Sequence, residues 1–178
     1  MLLAATLGRG AWTVPSLSNY VGNTTAPVLS LNGGAGTNFA TTFAPGDGPV
    51  AIESGQLSLS GNGSATVASA TIMLTNPQDG VAEVLRTSTG GTNITAVPYN
   101  PSTGVLSLTG VDTVANYQRV LQTITYNDTA ARPNQTARLV TFRVNNGSTG
   151  SNIPTSTVSF ATLPFGSFQE LPTERTAK

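Results

Sequence analysis

Residues 111–147 read VDTVANYQRVLQTITYNDTAARPNQTARLVTFRVNNG, and this stretch decides the fold. Ala115–Leu121 has the character of a compact turn or a single helical turn running into a strand over Gln122–Asn127. Tyr117, Leu121 and Ile124 fall at mixed helix and strand spacings, as they must where the chain changes conformation. A polar loop over Asp128–Thr136 leads to a second strand, Arg138–Asn145. There Leu139, Thr141, Arg143 and Asn145 alternate with Val140, Phe142 and Val144, the period of two that marks a half-buried strand. The expectation is an all-β unit in which these two strands pair across their long loop.

Working outward, strand signals recur at short intervals on both sides. PVLSLN (27–32), NFATTF (38–43), PVAIE (49–53) and QLSLS (56–60) are separated by Gly-rich turns. SATIMLTN (69–76), AEVLRTS (82–88), NITAVPYN (93–100), VLSLTG (105–110) and TSTVSFATL (155–163) follow. Val, Ile, Thr and Leu alternate with polar residues, and Gly, Pro and Asn punctuate them, giving roughly nine or ten strands. Helical periodicity never persists beyond two turns. The architecture that buries one face of so many short strands is an all-β, Greek-key β-sandwich of immunoglobulin or cadherin-like type with extended N- and C-terminal arms. The sandwich is expected over 27–163. Residues 1–26 form an apolar arm, a possible donor strand carrying Trp12, Val14, Leu17 and Tyr20, and 164–178 form a second tail.

Composition bounds the function. Only 9% of residues are charged and the net charge is zero, with a single Lys at the C-terminus. Nucleic acid and acidic lipid surfaces both require clustered cations, so neither is an expected partner. Cys is absent, which removes disulfides, thiol nucleophiles and thiolate metal sites; His is absent, which removes imidazole bases and ligands. The apolar patch Leu2–Leu7 lacks a basic flank and is too short for a signal peptide, so any leader is expected upstream or already removed. No stretch approaches the roughly 20 apolar residues of a membrane helix.

Four segments carry a family resemblance: LSLSGNGSATVASATIMLTN (57–76), GVLSLTG (104–110), VANYQRVLQTITYND (114–128) and RLVTFRVNNG (138–147). Together they resemble the cadherin-like tandem repeats of large bacterial and algal surface proteins, distantly similar to the proteoglycan-type repeats of animal basement-membrane proteins. The resemblance implies a β-sandwich acting in adhesion or as a rigid spacer, often stiffened by Ca²⁺. The chain departs from that pattern at the metal positions, where Gly61, Gly63 and Asn146 replace the usual Asp residues. Ca²⁺ takes about six to eight oxygens, usually with several carboxylates, and so charge-poor a chain is not expected to bind it. No other cofactor is implied.

The same substitutions create Asn-Gly-Ser acceptors at Asn62 and Asn146, and the pattern recurs at Asn23, Asn93, Asn127 and Asn134. The plainer alternative is that some of them are only turn residues; five of the six fall at expected loops, strand ends or the arm. Attached glycan would nonetheless account for the solubility of a surface with so little charge.

The enzymatic option that survives is a carboxylate pair, drawn from Asp47, Glu53, Asp79, Glu83, Asp112 and Asp128. Most of these lie in turn-like contexts, Asp47-Gly48 and Asp79-Gly80 among them, so no enzyme is expected. LNGGAGTN (31–38) precedes neither a helix nor a Lys, fails as a phosphate loop, and reads as a hairpin turn. The sequence thus points to a glycosylated structural module of an extracellular or cell-surface fibre, self-associating through Trp12, Val14, Leu17 and Tyr20. The alternative is an adhesin or lectin-like module that recognises carbohydrate or protein through its loops.

Overall fold

The structure, a computed structural model, describes residues 3–5, 11–13 and 25–161. The fold is all-β; the described residues form several sheets and one short α-helix. Within the N-terminal arm, β1 (Leu3–Ala5) and β2 (Ala11–Thr13) pair antiparallel with each other. The largest sheet has six strands, in the order β4 (Phe39–Phe43), β13 (Thr155–Phe160), β12 (Arg138–Asn145), β7 (Thr66–Leu74), β10 (Val105–Thr113) and β9 (Thr95–Asn100). A three-stranded sheet runs β5 (Val50–Ala51), β11 (Thr125–Asp128), β8 (Glu83–Arg86), and β3 (Val28–Ser30) pairs with β6 (Ser58–Ser60).

The expected alternation builds the core. In β12, Val140, Phe142 and Val144 are buried while Leu139 and Arg143 face solvent. β7 sends Ile72 and Leu74 to the same side, and β10 adds Leu106 and Leu108. β11 contributes Tyr126 from the opposing layer, and the two layers meet edge-on through aromatic rings. Tyr126 lies 5.4 Å from Phe43 of β4 and 6.4 Å from Phe160 of β13, centroid to centroid. Such T-shaped contacts set the positive ring edge against a negative face.

Three expectations need correction. First, the strands of the 111–147 stretch do not pair with each other: β11 lies between β5 and β8, whereas β12 lies between β13 and β7. The loop after Asp128 therefore carries the chain from one layer to the other. Local alternation assigns each strand a buried face but says nothing about its neighbour. Second, LNGGAGTN is not a hairpin turn. It holds a single 3₁₀ turn at Gly33–Ala35 between β3 and β4, strands that belong to different sheets. Third, the helical turn is longer than expected. The helix α1 spans Val114–Leu121 and delays the start of the next strand to Thr125.

α1 forms because its first turn is capped and one of its faces is buried. Thr113 Oγ1 accepts the Asn116 amide as N-cap, and Tyr117, Val120 and Leu121 turn one face into the core. It follows a bulge in β10, where the register against β7 slips between Thr109 and Asp112. Gly110 occupies the bulge at φ +115°, and a β-carbon there would lie 2.4 Å from the Asn93 carbonyl oxygen. The slip turns Asp112 inward, where its carboxylate accepts the amides of Asn93 (2.7 Å) and Thr113 (2.7 Å) and the Asn116 side-chain amide (2.7 Å). These bonds, led by that from Asn116, hold the Asp112 carboxyl below the ordinary aspartate range. Tyr117 donates to the Gly110 carbonyl at 2.7 Å and locks the helix to the bulge; burial, then Asp112, raises its hydroxyl pKa to about 12.

The register also defines two ends of the domain. Asn145 pairs with Ser69 at one end of the long sheet and Arg138 with Val158 at the other. The eight residues of β12 cover roughly 25 Å between them.

Candidate functional site

At the Arg138 end, strand alternation has an unusual result. Counting back by two from Val144, Phe142 and Val140 puts Arg138 on the buried face, and its side chain is fully enclosed. A buried guanidinium demands partners. Its Nη2 meets Asp79 Oδ2 at 2.6 Å and lies 3.6 Å from Asp128 Oδ2, while Nε donates to Glu83 Oε1. Nη1 donates to the carbonyl oxygens of Asn134 (3.1 Å) and Thr136. The guanidinium carbon sits 4.6 Å from the centre of the Phe160 ring, a cation–π contact.

The carboxylates are secured in turn. Glu83 Oε2 accepts the amides of Gln78 (2.8 Å) and Asp79 (3.1 Å), and its Oε1 accepts the Tyr126 hydroxyl at 2.8 Å. Asp79 Oδ2 accepts the Asn134 amide, and Asp128 Oδ1 that of Ala130, both at 2.9 Å. The centre thus ties β8, β11 and β12 to the loops at 76–82 and 129–137. Three carboxyl groups surround one guanidinium. Burial pushes the Asp128 carboxyl above the usual aspartate range; the Ala130 amide opposes this, and a hydrogen bond that the protonated carboxyl donates to Asp79 and the charges of Asp79 and Glu83 reinforce it. Tyr126 is raised too, by burial first and then by Glu83.

Of the six carboxylates considered from sequence, Asp79, Glu83 and Asp128 therefore converge. Their oxygens lie within 4.8 Å of one another, the spacing of a metal site, but the guanidinium stands among them. The other three do not join this centre: Asp47 is exposed, Glu53 accepts the Gly55 amide, and Asp112 serves the bulge. Arg138 was the residue missed from sequence. Its signal was its phase, in step with Val140 and Phe142.

The acceptor asparagines divide by environment. Asn93 and Asn134 are exposed. Asn127 lies mid-strand in β11 on the face away from Tyr126 and is half-buried. Asn62 and Asn146 are brought together at the opposite end from Arg138, where both hold the start of the domain. Asn62 Nδ2 donates to the Ala26 carbonyl (3.2 Å) and Asn146 Nδ2 to that of Thr25 (3.1 Å). Asn62 adopts φ +48°, the left-handed conformation Asn tolerates. Asn146 Oδ1 also accepts the amides of Ser148 and Thr149. Gly61, next to Asn62, is buried, and a β-carbon there would lie 2.0 Å from the Ser64 carbonyl oxygen, so an Asp does not fit. Asn23 lies outside the described residues, as do Val14, Leu17 and Tyr20; Trp12 belongs to β2, opposite Ala4.

Comparison with known proteins finds no matching family model, curated relative or solved structure. Among the described residues no helix is long and apolar enough to cross a membrane.

Proposed function

We propose that the chain is a structural module of an extracellular or cell-surface fibre, glycosylated and joined to neighbouring copies through its arms. The positions at which the described body begins and closes carry this reading. Thr25 and Ala26 are held by Asn146 and Asn62 at one end of the long sheet, while Phe160 closes β13 at the Arg138 end. A body that begins at one end and closes at the other can repeat head to tail, with load running along its strands. The enclosed Arg138 centre supports the same reading, since a fixed guanidinium ties several loops together without depending on ion occupancy. The low charge adds support: solubility then falls to Ser, Thr and Asn, and to glycan on exposed sites such as Asn93 and Asn134.

The test is electron microscopy of material taken from the producing cells, combined with mass spectrometry of its glycopeptides. Regular fibres with glycan on Asn93 or Asn134 are expected. Dispersed single particles would overturn the reading and favour the adhesin or lectin-like alternative.

A further inference from the structure

One of the six Asn-X-Ser/Thr acceptors, Asn127-Asp128-Thr129, begins inside a strand, and the period of two fixes where it points. Tyr126 and Asp128 are buried, so Asn127 stands on the opposite face of the three-stranded sheet, where β8 presents Val84 and Arg86. Asn127 is paired directly with Val84, and Thr125 with Arg86, which puts Val84 beside Asn127 and Arg86 on the diagonal. Asn127 and Thr129 both line a cavity of about 270 Å³ whose lining also includes Val81, Val84, Arg86, Tyr99 and Pro101. Three features of this cavity call for a ligand. The Asn127 carboxamide makes no hydrogen bond among the described residues, yet neither of its polar atoms is enclosed. Asn62 and Asn146, by contrast, use Nδ2 to hold the Ala26 and Thr25 carbonyls. Val81 is an apolar side chain left 88% exposed. Arg86 is exposed and has neither a hydrogen bond nor an ion pair among the described residues.

We propose that Asn127 carries an N-linked glycan whose first N-acetylhexosamine is seated in this cavity. The proposal rests on the glycosylated reading above and names one site and its seat. A pyranose ring has an apolar C–H face and a polar rim. The face suits Val81, Val84 and the Tyr99 ring, while the acetamido and hydroxyl oxygens accept from Arg86, a mix of apolar wall and few polar groups that is usual in ligand cavities. Asn127 also borders a larger cavity of about 420 Å³, but there Gly46, Gly48, Ala130 and Ala131 offer little side-chain surface to a sugar face.

The donor for this modification is an oligosaccharide joined to a lipid through a diphosphate. Asn127 Nδ2 forms a bond to C1 of the first sugar, the C1–O bond to the diphosphate breaks, and Nδ2 gives up one proton as the lipid diphosphate leaves. Thr129 supplies the hydroxyl that the acceptor pattern requires. Transfer to the extended chain precedes strand pairing; in the fold, Thr129 Oγ1 donates to the Ala82 carbonyl at 3.1 Å. Attachment at the cavity wall decides the occupant. A tethered sugar meets the site at high effective concentration, so a cavity that would hold free sugar poorly is filled.

The test is a glycopeptide map of the full-length chain from the producing cells, followed by enzymatic release of N-glycans from folded and urea-denatured protein. Glycan on Asn127 is expected, released about tenfold more slowly from the folded protein than from the denatured chain. Glycan on the exposed Asn93 or Asn134 should show a much smaller difference. Val81→Ser and Arg86→Ala, both at exposed positions, should keep the circular dichroism of the folded domain and speed release at Asn127. Glycan on Asn93 or Asn134 but not on Asn127 would overturn the site and leave the glycosylated reading standing. Glycan on none of the six acceptors would overturn both. Glycan on Asn127 that leaves the folded protein as fast as the denatured one, or at a rate that neither variant changes, would overturn the cavity as its seat.

Discussion

Replacing Arg138 by Met should be the most damaging single change in the sandwich that preserves side-chain volume. The wild-type guanidinium donates to Glu83, to Asp79 and to the carbonyls of Asn134 and Thr136, all at a fully buried position. Met keeps the packing of the stem but leaves three carboxyl groups facing one another with no cation. Breaking a buried ion pair from one side destabilises by about 3–5 kcal/mol, chiefly because the remaining charge is uncompensated. With a urea m-value of about 2 kcal/mol/M, the unfolding midpoint should fall by about 2 M at unchanged slope. The decisive assay is a double-mutant cycle by urea titration with Arg138→Met, Glu83→Gln and the pair. If the charge left behind dominates, Glu83→Gln should offset at least 1 kcal/mol of the Arg138→Met loss. Arg138→Lys should lose most of the stability as well, because one ammonium cannot meet Glu83 and Asp79 in the forked geometry of a guanidinium. A midpoint shift below about 0.5 M for Arg138→Met would refute the view that this centre holds the loops.

Other consequences can be checked on the same material. Asp128 is raised in the folded state, so its contribution is fully present below the unfolded aspartate pKa and is lost as pH rises through the folded one. Asp128→Asn should therefore flatten the fall in melting temperature as pH rises above about 4, the unfolded aspartate value, while wild type retains it. Asp112 has the opposite sign: its stabilisation is present above the unfolded pKa and is lost as pH falls through the lowered folded value. Asp112→Asn should thus destabilise at neutral pH and converge with wild type in acid, as read by thermal melts. Gly110→Ala forces a β-carbon against the Asn93 carbonyl at φ +115° and should cost about 1–3 kcal/mol in urea unfolding.

Much of the fold was legible in the chain. Each strand from β3 to β13 falls on or beside a segment picked out by alternation and turn residues, because a half-buried strand must repeat every two residues to keep one face dry. The N-capped helix was only partly legible, since Tyr117, Leu121 and Ile124 fit either period until the bulge at Gly110 sets the direction of entry.

What sequence alone determined, then, is strand content, which residues face inward, the scarcity of charge and the absence of thiol and imidazole chemistry. Those properties depend on residue type and near neighbours. Partnership was decided only in three dimensions. That β11 and β12 belong to different sheets, and that Asp79, Glu83 and Asp128 meet around Arg138, follow from long-range register. So do the convergence of Asn62 and Asn146 on the start of the domain and, among the described residues, the places of β8 and β9 at the edges of their sheets. Such register is selected by the joint burial of all strands at once, a condition that no local period in the chain encodes.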